Sequence, residues 1–358
     1  REAPLLDRPE VFAPVYPEPW SVYQPELAPE SGLFQGGFQF SAAADPALLQ
    51  HGGWPASAED GDAPDAPPGA RLPFSRAILA LLQGARLLLP WLTVTGFSDV
   101  RFFAQPEIFP GITREGRVTA RGRPWIMHDG AMTRMCRTRL GLRELTANGR
   151  HTDTFAPLAE GMALLASGPR DAPALGPLPP GEDEPGPAGE PLPLQRLYGR
   201  LGLGPDWRLL SRLEPVLRRA GGDVLAVHRG ALVPEGVAGH ARRGPASGIA
   251  PREDWGYAYT LRLAAAVMES ASLVLAHQGA CAEGEGAGAP SWRCEGVGYL
   301  RFGAPDAAAA GPRPESLELR RTWDDGRRVR FDAEVSAPGG AVLLTAHHLE
   351  FERRGVAE

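Results

Sequence analysis

Apolar positions in this chain fall into two kinds of run. "FSRAILALLQGARLLL" (Phe74–Leu89) is apolar on nearly every face and stops at Pro90. A helix hydrophobic all round is a buried one, so this segment predicts a central helix. "YTLRLAAAVMESASLVLAHQG" (Tyr259–Gly279) has the same character and predicts a second. The other apolar runs are shorter, mixed with polar residues and closed by Pro or Gly, which predicts strands.

Each helix precedes the same succession of segments. After the first come "VTGFSDVRFFAQPEIFPG", "REGRVTARGR", "MTRMCRTRLGLREL", the turn "TANG" and "RHTDTFAPLAEGMALL". After the second come "CEGVGYLRFGAPDAAAAGP", "ESLELRRTW", the turn "DDG", "RRVRFDAEV", the turn "SAPGG" and "AVLLTAHHLEFERR". The matched pair "DVRFFAQP" and "VGYLRFGAP" strengthens the repeat. A buried helix against a curved antiparallel sheet is the hotdog arrangement, because the sheet needs one face covered and the helix needs surrounding. Two copies predict an α+β double hotdog, with two antiparallel sheets each wrapped around a central helix. Two unrelated α+β domains are the alternative. The stretch Ser167–Gln195, rich in Pro, Gly and acids, reads as an extended linker. The expected units are therefore residues 1–166, a linker at 167–195, and residues 196–358.

Composition narrows the partners. At 358 residues and 43% hydrophobic content the chain can build substantial cores. A net charge of −6 with no basic face argues against nucleic acid. No run reaches the roughly 18 apolar residues expected of a membrane span. Three cysteines without metal-type spacing suit a reduced, cytoplasmic setting. "REAPLLDRPE" carries no signal-peptide pattern and reads as the start of a piece cut from a longer polypeptide.

"LYGRLGLGPDWRLLSRLE" (Leu197–Glu214) resembles a strand-turn segment of polyketide synthase dehydratase domains, with Tyr198, Gly199, Gly204, Pro205, Trp207 and Arg208 at the matching places. Related domains occur in polyunsaturated fatty acid synthases. The resemblance implies a double hotdog in which a His before the first central helix meets an acid from the second. "DPALLQHGG" resembles the His segment, with His51 at the His position and Pro73 as the proline before the helix. The sequence "WPASAEDGDAPDAPPGAR" intervenes between them, and such an insertion is thermodynamically cheap. Two residues compete for the acid. Glu269 stands mid-helix in an otherwise apolar run, where a lone carboxylate is costly unless paired or protonated. Asp254 lies just before the helix. The first helix, Phe74 to Leu89, has no acid, which predicts one composite site rather than two.

In that site a neutral His51 would remove the α-proton of a β-hydroxyacyl thioester. A protonated Glu269 would deliver a proton to the departing hydroxyl. The thioester carbonyl would take a backbone N–H at the Gly52–Gly53 turn or a helix N-terminus. Gln83, Tyr257 or Tyr259 would orient the hydroxyl, Pro73 and Pro205 would shape the pocket, and Phe74, Leu81 and Met268 would line an acyl tunnel. The resemblance implies no resident cofactor. The substrate would arrive on the phosphopantetheine of an acyl carrier protein, whose acidic face could meet Arg101, Arg208 or Arg301. Neighbouring synthase domains are implied partners, and homodimerisation is compatible with this picture. An inactive double hotdog that binds the acyl chain or serves architecture is the other function class, with a thioester hydrolase behind it. The remaining histidines read as structural: His347 and His348 on opposite strand faces, His128 at the surface, His228 and His240 at strand ends, His277 at the helix end.

Overall fold

The computed structural model describes residues 23–28, 32–42, 46–52, 70–128, 130–145, 150–168, 170–185, 190–220, 223–233, 255–283, 291–303 and 316–354. Strands β1 (Tyr23–Ala28) and β2 (Leu33–Phe40) open the first half. Helix α1 (Phe74–Leu88) leads into β3 (Thr93–Phe102), β4 (Arg114–His128), β5 (Ala131–Leu145) and β6 (His151–Ala166). The second half comprises β7 (Glu182–Pro185), helix α2 (Leu194–Leu201), β8 (Leu210–Ala220) and β9 (Asp223–Leu232). Helix α3 (Trp255–Glu283), β10 (Ser291–Phe302), β11 (Ser316–Asp324), β12 (Arg328–Ser336) and β13 (Val342–Arg354) complete it.

Two-residue alternation makes these strands one-sided. On β2, Phe34, Phe38 and Phe40 are buried, and on β12 the buried set is Val329, Phe331, Ala333 and Val335. Helix α1 packs on β2 to β6, and α3 packs on β8 and β10 to β13. Each helix thereby covers the apolar face of its own half, and the two helices also touch each other.

The two separate sheets expected from the repeat are one. Among the described residues, thirteen antiparallel strands run β1-β2-β4-β5-β6-β3-β10-β13-β12-β11-β9-β8-β7. The halves join where β3 meets β10, the two segments that look alike in sequence. Gly96 faces Arg301 and Arg101 faces Gly296, so like residues exchange places across a local twofold. A Cβ on Gly96 would collide with the Leu300 carbonyl, and one on Gly296 with the Val100 carbonyl. Glycine at both places permits the close approach of the two backbones. Joining the edges satisfies two rows of backbone groups that separate sheets would leave open.

The Pro-rich stretch after β6 is not a free tether. Its described part crosses the second half: the Pro173 carbonyl accepts from Thr345, the Leu175 amide donates 2.7 Å to Glu334, and the Gly176 carbonyl accepts from Arg320. It then adds β7 to the sheet edge beside β8. Extended Pro-rich backbone leaves carbonyls free to accept such bonds. Tyr198 and Gly199, read from sequence as strand and turn, belong to α2, and Pro205–Trp207 form one 3₁₀ turn. Tyr259–Gly279 within α3 is apolar and long enough, by composition, to cross a membrane, yet the protein buries 94% of it. The sheet of the second half covers it together with α1 and α2.

Candidate active site

His51 follows a 3₁₀ turn, Pro46–Gln50. Backbone bonds pin it from two sides. The Arg71 amide donates to the His51 carbonyl at 2.8 Å, and the Gly204 amide donates to the Gln50 carbonyl at 2.8 Å. Residues on either side of the inserted sequence, His51 and Arg71, are therefore hydrogen-bonded neighbours. Gly202, left-handed at φ 63°, ends α2 and turns Leu203 into a bridge with His51. Side chains add to the lashing between the two halves. Trp207 Nε1 donates 2.6 Å to the Ala47 carbonyl. Gln50 Nε2 donates 3.1 Å to the Asp206 carboxylate, and the Asp206 amide returns a 3.0 Å bond to Gln50 Oε1.

His51 Nδ1 lies 3.1 Å from the Arg71 carbonyl. A carbonyl only accepts, so Nδ1 carries the proton and Nε2 keeps the basic lone pair. The Trp207 ring stands edge-on to the imidazole at 5.0 Å. Desolvation lowers the His51 pKa to about 4, and the positive charges of Arg76 and Arg71 act in the same direction against the Arg71 carbonyl bond. At neutral pH the imidazole is uncharged.

Glu269 is 7% exposed, mid-way along α3. The Leu209 amide donates 3.1 Å to its Oε1. Burial pushes its pKa up to about 8, over the opposing effects of that amide, the Tyr198 hydroxyl and the Arg262 charge. Tyr198 is itself held by Leu210, donating to its carbonyl at 3.1 Å and accepting from its amide at 3.0 Å. Burial, and after it the nearby Glu269, raise the phenol's pKa. Neutral His and protonated Glu thus coexist over the pH range between their two values.

Both side chains line one cavity of about 320 Å³. Ala265, Met268, Glu269, Ser272 and Ala276, spaced i, i+3, i+4, i+7 and i+11, present one stripe of α3 to it. Exposed Gly52, Arg71 and Arg200 mark the solvent side, and buried Cys294 and Phe351 the inner side.

Among the other expected site residues, Pro73, Phe74 and Met268 line this cavity. Gln83, Tyr259, Leu81 and Pro205 do not: Gln83, Tyr259 and Leu81 are buried elsewhere in the core, because other faces of α1 and α3 turn toward the sheet. Gly53 and Asp254 lie outside the described residues, as does the side chain of Tyr257. Arg301 is buried and cannot serve as an exposed docking charge. His228, expected at a strand end, is buried within β9. Helix α3 runs past His277 to Glu283. His347 and the His348 amide both bond Asp332, and His348 has φ 54°, so simple strand alternation fails there. His128 ends β4 half-buried beside Tyr299. Sequence reasoning missed Arg76, Arg262 and the placement of Tyr198 and Trp207 beside the pair. The quoted "YGRLGLGPDW" was the available signal for the last two, but it carries no direction.

No family model matches the chain, and no curated protein does. Solved structures do. The dehydratase domain from the CurK module of curacin polyketide synthase superposes with a TM-score of 0.55 at 13% identity, covering 94% of this chain and 98% of that one. GphF Dehydratase 1 gives 0.54 at 16% identity, over 93% and 98%. A variant of the PpsC dehydratase domain from Mycobacterium tuberculosis gives 0.55 at 14%, over 93% and 98%. What is shared at these identities is the fold, a hotdog-type fold spanning nearly the whole chain.

Proposed function

We infer that the protein is a dehydratase acting on a β-hydroxyacyl thioester delivered by an acyl carrier protein, as one domain of a polyketide or polyunsaturated fatty acid synthase. In this reading it is a double hotdog whose two units share the β3–β10 seam. The observation that carries it is one cavity lined by both a neutral imidazole with a free Nε2 and a protonated buried carboxyl. Nε2 of His51 takes the α-proton, and the C–H electrons form the double bond as the β C–O bond breaks. Glu269 protonates the departing hydroxyl, and water leaves. His51 ends protonated and Glu269 ionised; proton return through solvent resets both. Gly52 lines the cavity, and in this scheme its amide would hold the thioester oxygen. No cofactor enters this scheme, and the carrier and neighbouring domains are the proposed partners.

The test is incubation with a series of 3-hydroxyacyl pantetheine thioesters, with mass detection of the enoyl product. Turnover is expected, and His51→Ala or Glu269→Gln should each lower kcat by about 10³-fold while circular dichroism stays unchanged. Absence of product across all chain lengths would instead favour a domain that only binds acyl chains.

A further inference from the structure

Two arginines converge on one ring beside the site. The guanidinium carbon of Arg76, from α1, lies 5.6 Å from the centroid of Trp207, and that of Arg262, from α3, lies 4.9 Å from it. Arg262 is 4% exposed and also donates to the Asp206 carbonyl. It stands seven residues before Glu269, two turns along the same helix face. Arg76 stands at the start of α1, close to the imidazole. Burying a guanidinium is costly, and an apolar residue would pack against an indole without that cost.

We propose that the Arg76–Trp207–Arg262 stack is a positioning element that locks the His51 turn against α3 and sets one cation beside each member of the pair. The proposal rests on the dehydratase reading for its kinetic consequence only. Trp207 links the elements through its Ala47 bond, its edge contact with His51 and its two guanidinium neighbours. Around His51 the charged groups are Arg76 of α1 and Arg71 of the preceding strand-like segment, with the Arg71 carbonyl opposing them. Facing Glu269 are Arg262 of its own helix, Tyr198 of α2 and the Leu209 amide, with Arg208 acting on Tyr198. Arg76 thus disfavours the imidazolium, and Arg262 limits how far the carboxyl's proton affinity rises.

Desolvation is the larger cause of both shifts, and each cation adds a smaller contribution to one limb of the pH profile. Arg76→Met should raise the proton affinity of His51 and move the acid limb of kcat/KM to higher pH by about half a unit, roughly threefold in affinity. Arg262→Met should raise that of Glu269 and move the alkaline limb to higher pH, leaving the acid limb in place. Arg262→Lys, which keeps the charge, should leave the alkaline limb where it is. Uniform loss of activity with both limbs unmoved would reduce the stack to a structural contact and overturn the proposal. Arg76 is half-buried, so its variant carries the test if Arg262→Met does not fold. Should the parent protein make no enoyl product, the dehydratase reading fails on its own account. Imidazole titration by NMR in the parent and in Arg76→Met still decides the proposal: an unshifted His51 curve refutes it.

Discussion

The two halves solve one packing problem in opposite ways. Helix α1 lies flush on its sheet: a Cβ at Gly84 would sit 2.7 Å from a Val118 methyl. Helix α3 instead lines the cavity along the stripe from Ala265 to Ala276, in which Glu269 stands, whereas α1 meets it with Phe74 and Ser75 of its first turn. One half brings His51 to the cavity from the turn before its helix. The other brings Glu269 to it from the helix itself. A repeated architecture therefore need not mean a repeated site, since chemistry needs both a void and a costly polar group in it.

Moving the acid between helices is the harshest test of this asymmetry. Gln83→Glu combined with Glu269→Gln should restore no turnover, because Gln83 does not reach the cavity. It should also cost about 3 kcal/mol or more in a urea titration at pH 7, as a carboxylate without compensation is placed in the first core. A milder contrast compares the faces of the helices. Gly84→Ala should destabilise by about 1–2 kcal/mol, overpacking against Val118 outweighing the gain in helix propensity. Ser272→Ala, facing the cavity, should stay within about 0.5 kcal/mol. Equal effects would mean that α3 is packed as tightly as α1.

A further contrast is read from pH. Folded Glu269 keeps a proton that the unfolded chain releases near its ordinary value of 4.5, so stability falls as pH rises from about 4.5 to about 8. Glu269→Gln should flatten this slope, which is at most about 1.4 kcal/mol per pH unit. His51 and buried His228, both lowered to about 4 chiefly by desolvation, act in the opposite sense. They bind protons less readily when folded, so stability is lost as pH falls from about 6.5 toward 4. Thermal melts across pH 4 to 9 would separate the two: above about pH 6.5 the histidine contribution has ended, and Glu269→Gln should remove the slope that remains up to about pH 8.

The two central helices and most strands could be read from the chain because their signals are local. Phe74–Leu88 is apolar all round, and Val329 to Val335 alternates with period two. His51 and Glu269, which line one cavity, could be singled out as candidates, the one by resemblance and the other because a lone acid in an apolar run is conspicuous. Other expectations failed for a common reason. Gln83 and Tyr259 were chosen by residue type, yet helix rotation against the sheet decides which face meets the cavity, and periodicity does not fix that rotation. Trp207 and Arg262 become significant only through contacts between distant segments.

By itself, then, the sequence determined the element order, the repeat, the burial of two helices and the chemical candidates. These depend on the apolar pattern within a turn or a strand. Tertiary structure alone decided that the halves fuse into one sheet at β3 and β10, that the ends of the insertion meet at His51 and Arg71, and that α3 lines the cavity with a stripe where α1 meets it with its first turn. Those outcomes depend on closing long loops and fitting surfaces together, and no short window of residues contains that information.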